Sequence, residues 1–127
     1  MLKKIFCAAF LMAAIIFVGN AKVSAQDVWI YSGGGTDYYI VTETFNNRSQ
    51  NFTEINFSIN VKYIRGGSLV ATKTYSFAGH DFVSYKVDGV DKGLTFDFDK
   101  KEQVQPASNI LGYAMRNLGV TNGMGEG

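Results

Sequence analysis

The sequence predicts an α+β domain: an antiparallel sheet of five or six strands with one C-terminal amphipathic helix packed on a face. A small β-sandwich with the helix as a plug is the alternative. Three observations carry the prediction. Phe57, Ile59, Val61 and Tyr63 alternate with Ser58, Asn60, Lys62 and Ile64, and a period of two means one buried face and one wet face. Glycine-containing breaks separate this run from similar apolar runs on either side. Near the C-terminus the period changes, with Ala107, Ile110, Leu111, Ala114 and Leu118 spaced by three and four residues, one face of a helix.

The chain opens differently. Lys3 and Lys4 lead into an apolar run from Ile5 to Val18, and Val23-Ser24-Ala25 closes it with a small-x-small pattern, the order of a secretory signal peptide. The run falls short of the roughly 20 residues that cross a membrane, and no second apolar run follows. Residues 1–25 are therefore expected to be removed, leaving a single β-rich domain over residues 26–120 and a glycine-rich, disordered tail over 121–127, with no membrane span after cleavage. The expected location is outside the cytoplasm, periplasmic or extracellular, and the short lysine-led signal points to a bacterium.

Cleavage changes the chemistry available. It takes away Cys7, the only cysteine, and Lys3, Lys4 and Lys22, three of the twelve basic residues; nine remain against eleven acids, a net charge of −2. Disulfides, a thiolate metal site and a cysteine nucleophile are then excluded, despite an oxidising compartment. Without a basic stripe, nucleic acid is not an expected partner. About 100 residues still suffice for one modest core.

Val28 to Tyr31 reads as a first strand stopped by Ser32-Gly33-Gly34-Gly35, and Tyr38 to Phe45, rich in Tyr, Ile, Val, Thr and Phe, as a second. The alternating run to Ile64 is the third. Gly66-Gly67 then signals a hairpin into Leu69 to Phe77, where Lys73 interrupts the apolar face and points to a sheet edge. Val83, Tyr85 and Val87 supply a fifth strand. The stretch Asp88 to Gly93 reads as the next turn, leading to a last strand with Leu94, Phe96 and Phe98 inside and Thr95, Asp97 and Asp99 outside. Pro106 suits a first helical residue, and Gly119 suits a stop.

No catalytic or metal-binding signature emerges, and no cofactor is implied. His80 is the only histidine. If it and Asp81 lay in a strand they would face opposite ways, and Gly79 before them favours a loop tip over a catalytic pair. Asp88, Asp91, Asp97, Asp99 and Glu102 are hard oxygen ligands of the kind calcium takes, yet they lack the calcium-loop spacing and stand among Lys92, Lys100 and Lys101. Gly33-Gly34-Gly35-Thr36 precedes a strand and has no lysine, unlike a phosphate-cradling loop. The sequons at Asn47, Asn51 and Asn56 reflect a loop rich in Asn, Ser and Thr. What remains is aromatic. Trp29, Tyr31, Tyr38 and Tyr39 cluster around the glycine loop, and rings left outside a core are platforms for sugars or partner proteins. Because Tyr38 and Tyr39 must face opposite sides, the cluster cannot all be core.

The leading expectation is a non-enzymatic binding module whose partner is a protein or glycan of the cell envelope, met through an aromatic surface or an exposed sheet edge. A small hydrolase using His80 and a calcium-stabilised extracellular domain are the alternatives. The run Asp27-Val28-Trp29-Ile30-Tyr31-Ser32, then Gly35-Thr36-Asp37-Tyr38-Tyr39-Ile40-Val41-Thr42-Glu43-Thr44, with Val61-Lys62-Tyr63 and Tyr75-Ser76-Phe77 further on, resembles small secreted proteins of diderm Firmicutes. The resemblance implies an exported bacterial protein and assigns no activity and no site residues.

Overall fold

The computed structural model describes residues 23–24, 26–49 and 54–120. Most of the expected signal peptide and all of the expected tail lie outside them. Six strands form one sheet: β1 (Asp27–Gly33), β2 (Thr36–Asn47), β3 (Ile55–Arg65), β4 (Ser68–Gly79), β5 (Val83–Val87) and β6 (Val90–Leu94). Each pairs antiparallel with the next in the chain, so the sheet is a simple meander. A small ribbon, β7 (Phe96–Asp97) with β8 (Glu102–Gln103), leads to the helix α1 (Ala107–Asn117). The α+β expectation is realised with one large sheet, not a sandwich.

The alternation in β3 sends its residues to two faces, but the face expected to be wet is not: Ser58 and Ile64 are buried and Asn60 and Lys62 half-buried. Phe57, Ile59 and Val61 face the helix side opposite Phe77, Tyr75 and Lys73 of β4, and all but the lysine join Ile40 in the core. Phe57 and Phe77 stack with ring centroids 4.8 Å apart. Onto this face α1 lays Ala107, Ile110 and Ala114, all buried. Pro106 caps the helix one position outside the place expected for it, an ordinary difference at a helix end. Beyond Gly119, in a left-handed conformation, the Val120 N–H returns to the Ala114 carbonyl and its side chain completes the core.

The sixth strand corrects the sequence reading. The turn is Asp88-Gly89 alone, with φ of 51° and 83°. That is the left-handed pair a two-residue hairpin demands, and Asp-Gly supplies it. Asp88 also accepts the Thr74 N–H and donates its own to the Thr74 carbonyl. Val90 to Gly93, expected as turn, form a strand with Leu94, and all five residues are exposed. The strand expected over Leu94 to Phe98 breaks at Thr95. Thr95 is buried and tied by backbone bonds to Val83 and Val104, while Phe98 is exposed, the reverse of the predicted facing.

The edges are blunted. Pairing of β4 with β5 runs from Tyr75 to Gly79, so among the described residues Ser68 to Lys73 form an outer edge, as Lys73 predicted. That edge carries an extra residue at Val70 and the inward lysine, two features that discourage pairing with another chain. The β6 edge bears Asp91 and Lys92. β1 bulges at Ile30.

Candidate functional site

The four aromatic residues singled out in the sequence divide between the two faces of the sheet. Tyr38 and Tyr39 face opposite ways, as alternation required. Trp29 and Tyr31 also part company, because the bulge puts the extra residue Ile30 between them while their partners Tyr39 and Tyr38 are adjacent. Tyr31 and Tyr38 lie on the helix side; Trp29 and Tyr39 form a cross-strand pair on the back.

On the helix side, Tyr31 and Tyr38 join three tyrosines that sequence reading had treated only as strand residues. The rings of Tyr31 and Tyr38 stack at 5.8 Å, and Tyr38 meets Tyr63 edge-on at 4.8 Å. The Tyr63 and Tyr75 hydroxyls lie 2.6 Å apart, and Tyr75 and Tyr85 stack at 6.0 Å. One tyrosine from each of five consecutive strands thus runs across the sheet. Burial pushes the phenols of Tyr63, Tyr75 and Tyr85 up from their ordinary value; the shared hydrogen bond raises Tyr75 further and draws Tyr63 back down. Tyr75 is only 3% exposed, and its hydroxyl and that of Tyr63 satisfy each other through this one bond. The rings cover one another, so this row extends the core and offers little face to a ligand.

The back is different. Trp29 is 56% exposed, yet its ring is oriented. The indole N–H donates to Ser32 Oγ at 2.8 Å, and Ser32 Oγ donates to Asp37 Oδ1 at 2.7 Å. A hydroxyl that accepts from one neighbour while donating to another strengthens both bonds. Beside the indole, Tyr39 has its phenol raised by burial and by the carboxylates of Asp37 and Asp27. Lys62, across β2, reaches Asp27 Oδ2 at 2.8 Å. Further along this face Asn60 accepts from the Thr74 hydroxyl and Arg48 donates to Ser58. An apolar ring with its one polar atom already satisfied thus stands in a polar field.

The other candidates do not assemble. His80 and Asp81 lie in a bend shaped by Gly79, whose φ is 157° and where a Cβ would meet the Phe82 carbonyl oxygen at 2.1 Å. The loop-tip expectation holds. Off the strand, alternation no longer separates the pair, and His80 Nδ1 stands 3.3 Å from Asp81 Oδ1 with both side chains more than half exposed. Among the described residues no serine or threonine hydroxyl bonds to the imidazole. The aspartates serve local turns: Asp91 accepts the Gly93 N–H, and Asp97 accepts those of Asp99 and Lys100. No cluster of three potential metal ligands occurs among the described residues, and no described helix is long and apolar enough to cross a membrane.

No protein-family model, curated protein or solved structure matches this chain. The reading of the site therefore rests on its own chemistry.

Proposed function

We propose that this protein is an exported, non-enzymatic binding module that holds a glycan of the bacterial cell envelope against the ring of Trp29. The observation that carries the reading is the exposed indole, fixed by the Ser32–Asp37 relay. A large ring held in one orientation loses little entropy on binding. Its surroundings favour a sugar over a protein. Anchors in protein interfaces sit in dry pockets ringed by excluded water, whereas Trp29 is framed by Ser32, Asp37, Tyr39 and the Lys62–Asp27 pair. A pyranose, with an apolar C–H face and a hydroxyl rim, matches a ring set in polar groups. The blunted edges weigh against strand addition as the binding mode. Export is supported by the lysine-led apolar segment at the N-terminus and by the resemblance to small secreted proteins of diderm Firmicutes.

Co-sedimentation with purified cell-wall glycan tests the reading. The mature chain should pellet with the glycan, and Trp29→Ala and Tyr39→Ala should stay in the supernatant while remaining folded. Equal pelleting of Trp29→Ala and wild type removes the platform from the account. Capture of a protein partner that survives glycan digestion replaces the sugar with a protein.

A further inference from the structure

A second, polar groove lies away from the Trp29 platform, along α1 where it passes β1 and β8. It encloses about 440 Å³, within the range of small-molecule sites. Its polar lining is Gln103, Gln105, Ser108, Asn109 and Arg116, and its apolar lining is Ile30, Leu111 and Met115.

Three features of this groove bear on what it can hold. Asn109 Oδ1 is buried and has no hydrogen-bond partner among the described residues, a state native proteins rarely tolerate without a bound group. The ion pairs among the described residues, Lys62–Asp27, Lys73–Asp88 and His80–Asp81, leave the Arg116 guanidinium without a carboxylate. Gly112 interrupts the interior of α1, where alanine is the better helix former. A Cβ there would stand 3.0 Å from Arg116 Nη1. Arg116, one turn on, lies back over the bare glycine, toward the N-terminal end of the helix where Ser108 and Asn109 stand.

We propose that this groove binds the C-terminal end of a peptide, or another N-acylated amino acid. The guanidinium fork matches a carboxylate with two parallel bonds. The orphan Asn109 oxygen needs an N–H donor, which the amide next to that carboxylate supplies once the Asn109 side chain turns that oxygen toward the groove. Gln103, Gln105 and Ser108 offer further donors and acceptors to the acyl carbonyl, and Ile30, Leu111 and Met115 receive a small apolar side chain. At Gly112 the missing Cβ leaves the guanidinium room to lie back along the helix into the groove.

The test is an NMR titration of the isotope-labelled protein with N-acetyl-alanyl-alanine and, separately, its C-terminal amide, following the side-chain N–H signals of Asn109, Gln103, Gln105 and Arg116. The free acid should give saturable shifts, and the amide should bind about tenfold more weakly or not at all, because one charged hydrogen-bonding contact is lost. Arg116→Gln should show a similar loss. Gly112→Ala should weaken binding while raising Tm by about 4 °C, a combination that a purely structural role for the glycine does not produce. Trp29→Ala should leave the titration unchanged, which separates this site from the glycan reading. Equal binding of acid and amide, an Arg116→Gln variant that binds like wild type, or no saturable shift at all overturns the proposal.

Discussion

The two faces of the sheet use the same kinds of residue to opposite ends. On the helix side, Phe57 and Phe77 stack under α1, and the tyrosines of β1 to β5 cover one another, with the most buried phenol hydrogen-bonded to its neighbour. On the back, Trp29 is fixed just as firmly but covered far less. Aromatic content alone therefore says nothing about function. What distinguishes a platform from a core is an oriented ring that stays more than half exposed.

The largest expected effect is on the packed face. Phe57→Ala removes a fully buried ring stacked on Phe77 and should cost about 3–5 kcal/mol in chemical unfolding. A loss below 1 kcal/mol would mean that the front face is not the core.

Within the tyrosine row the two members of the hydroxyl pair should not be equivalent. Tyr63→Phe strands the buried Tyr75 hydroxyl and should cost about 1–3 kcal/mol; Tyr75→Phe leaves only the part-exposed Tyr63 hydroxyl, which water can satisfy, and should cost less than about 1 kcal/mol. Equal costs would show that burial of the hydroxyl left behind does not set the cost.

Alkali sharpens the same contrast. Tyr39, Tyr63, Tyr75 and Tyr85 all have folded-state values raised above the ordinary 10.0, so the unfolded chain gives up these protons first. Their contribution to stability is present below pH 10 and is lost above it, by up to about 1.4 kcal/mol per pH unit for each tyrosine still protonated in the fold. Unfolding free energy measured from pH 9 to 11.5 should fall with a slope that Tyr75→Phe reduces.

The smallest effect on stability belongs to the back face. Trp29→Ala should change the unfolding free energy by no more than about 0.5 kcal/mol, as expected at an exposed position, and its consequence should appear in binding alone. A large loss of stability would return Trp29 to the core and remove the contrast between the faces.

Much of the fold was legible because its signals are local. The buried face of Phe57, Ile59 and Val61, Gly66-Gly67, the inward Lys73 at an edge and the apolar stripe from Ala107 to Leu118 all stand where period and turn chemistry put them, whereas Ser58 and Ile64, expected on the wet face, are buried. β6 was not legible, since Val-Asp-Lys-Gly-Leu has no buried face to impose alternation; it is a strand because β5 pairs with it. The bulge at Ile30, which sends Trp29 and Tyr31 to opposite faces, leaves no mark in the period. The tyrosine row needed register, because Tyr63 and Tyr75 meet only once β3 and β4 are aligned. The cluster around the glycine loop was visible in the sequence as a set of residues; which of its rings is left uncovered was not.

Trp29 is the only tryptophan, so the intrinsic fluorescence of the protein reports directly on the central claim. Titration with N-acetylglucosamine oligomers of increasing length should shift and quench that emission saturably, with Tyr39→Ala weakening the effect and Phe82→Ala, on the far loop, leaving it alone. Emission that stays at the wavelength of a solvent-exposed indole at every oligomer length and concentration would contradict the assignment of Trp29 as a glycan platform.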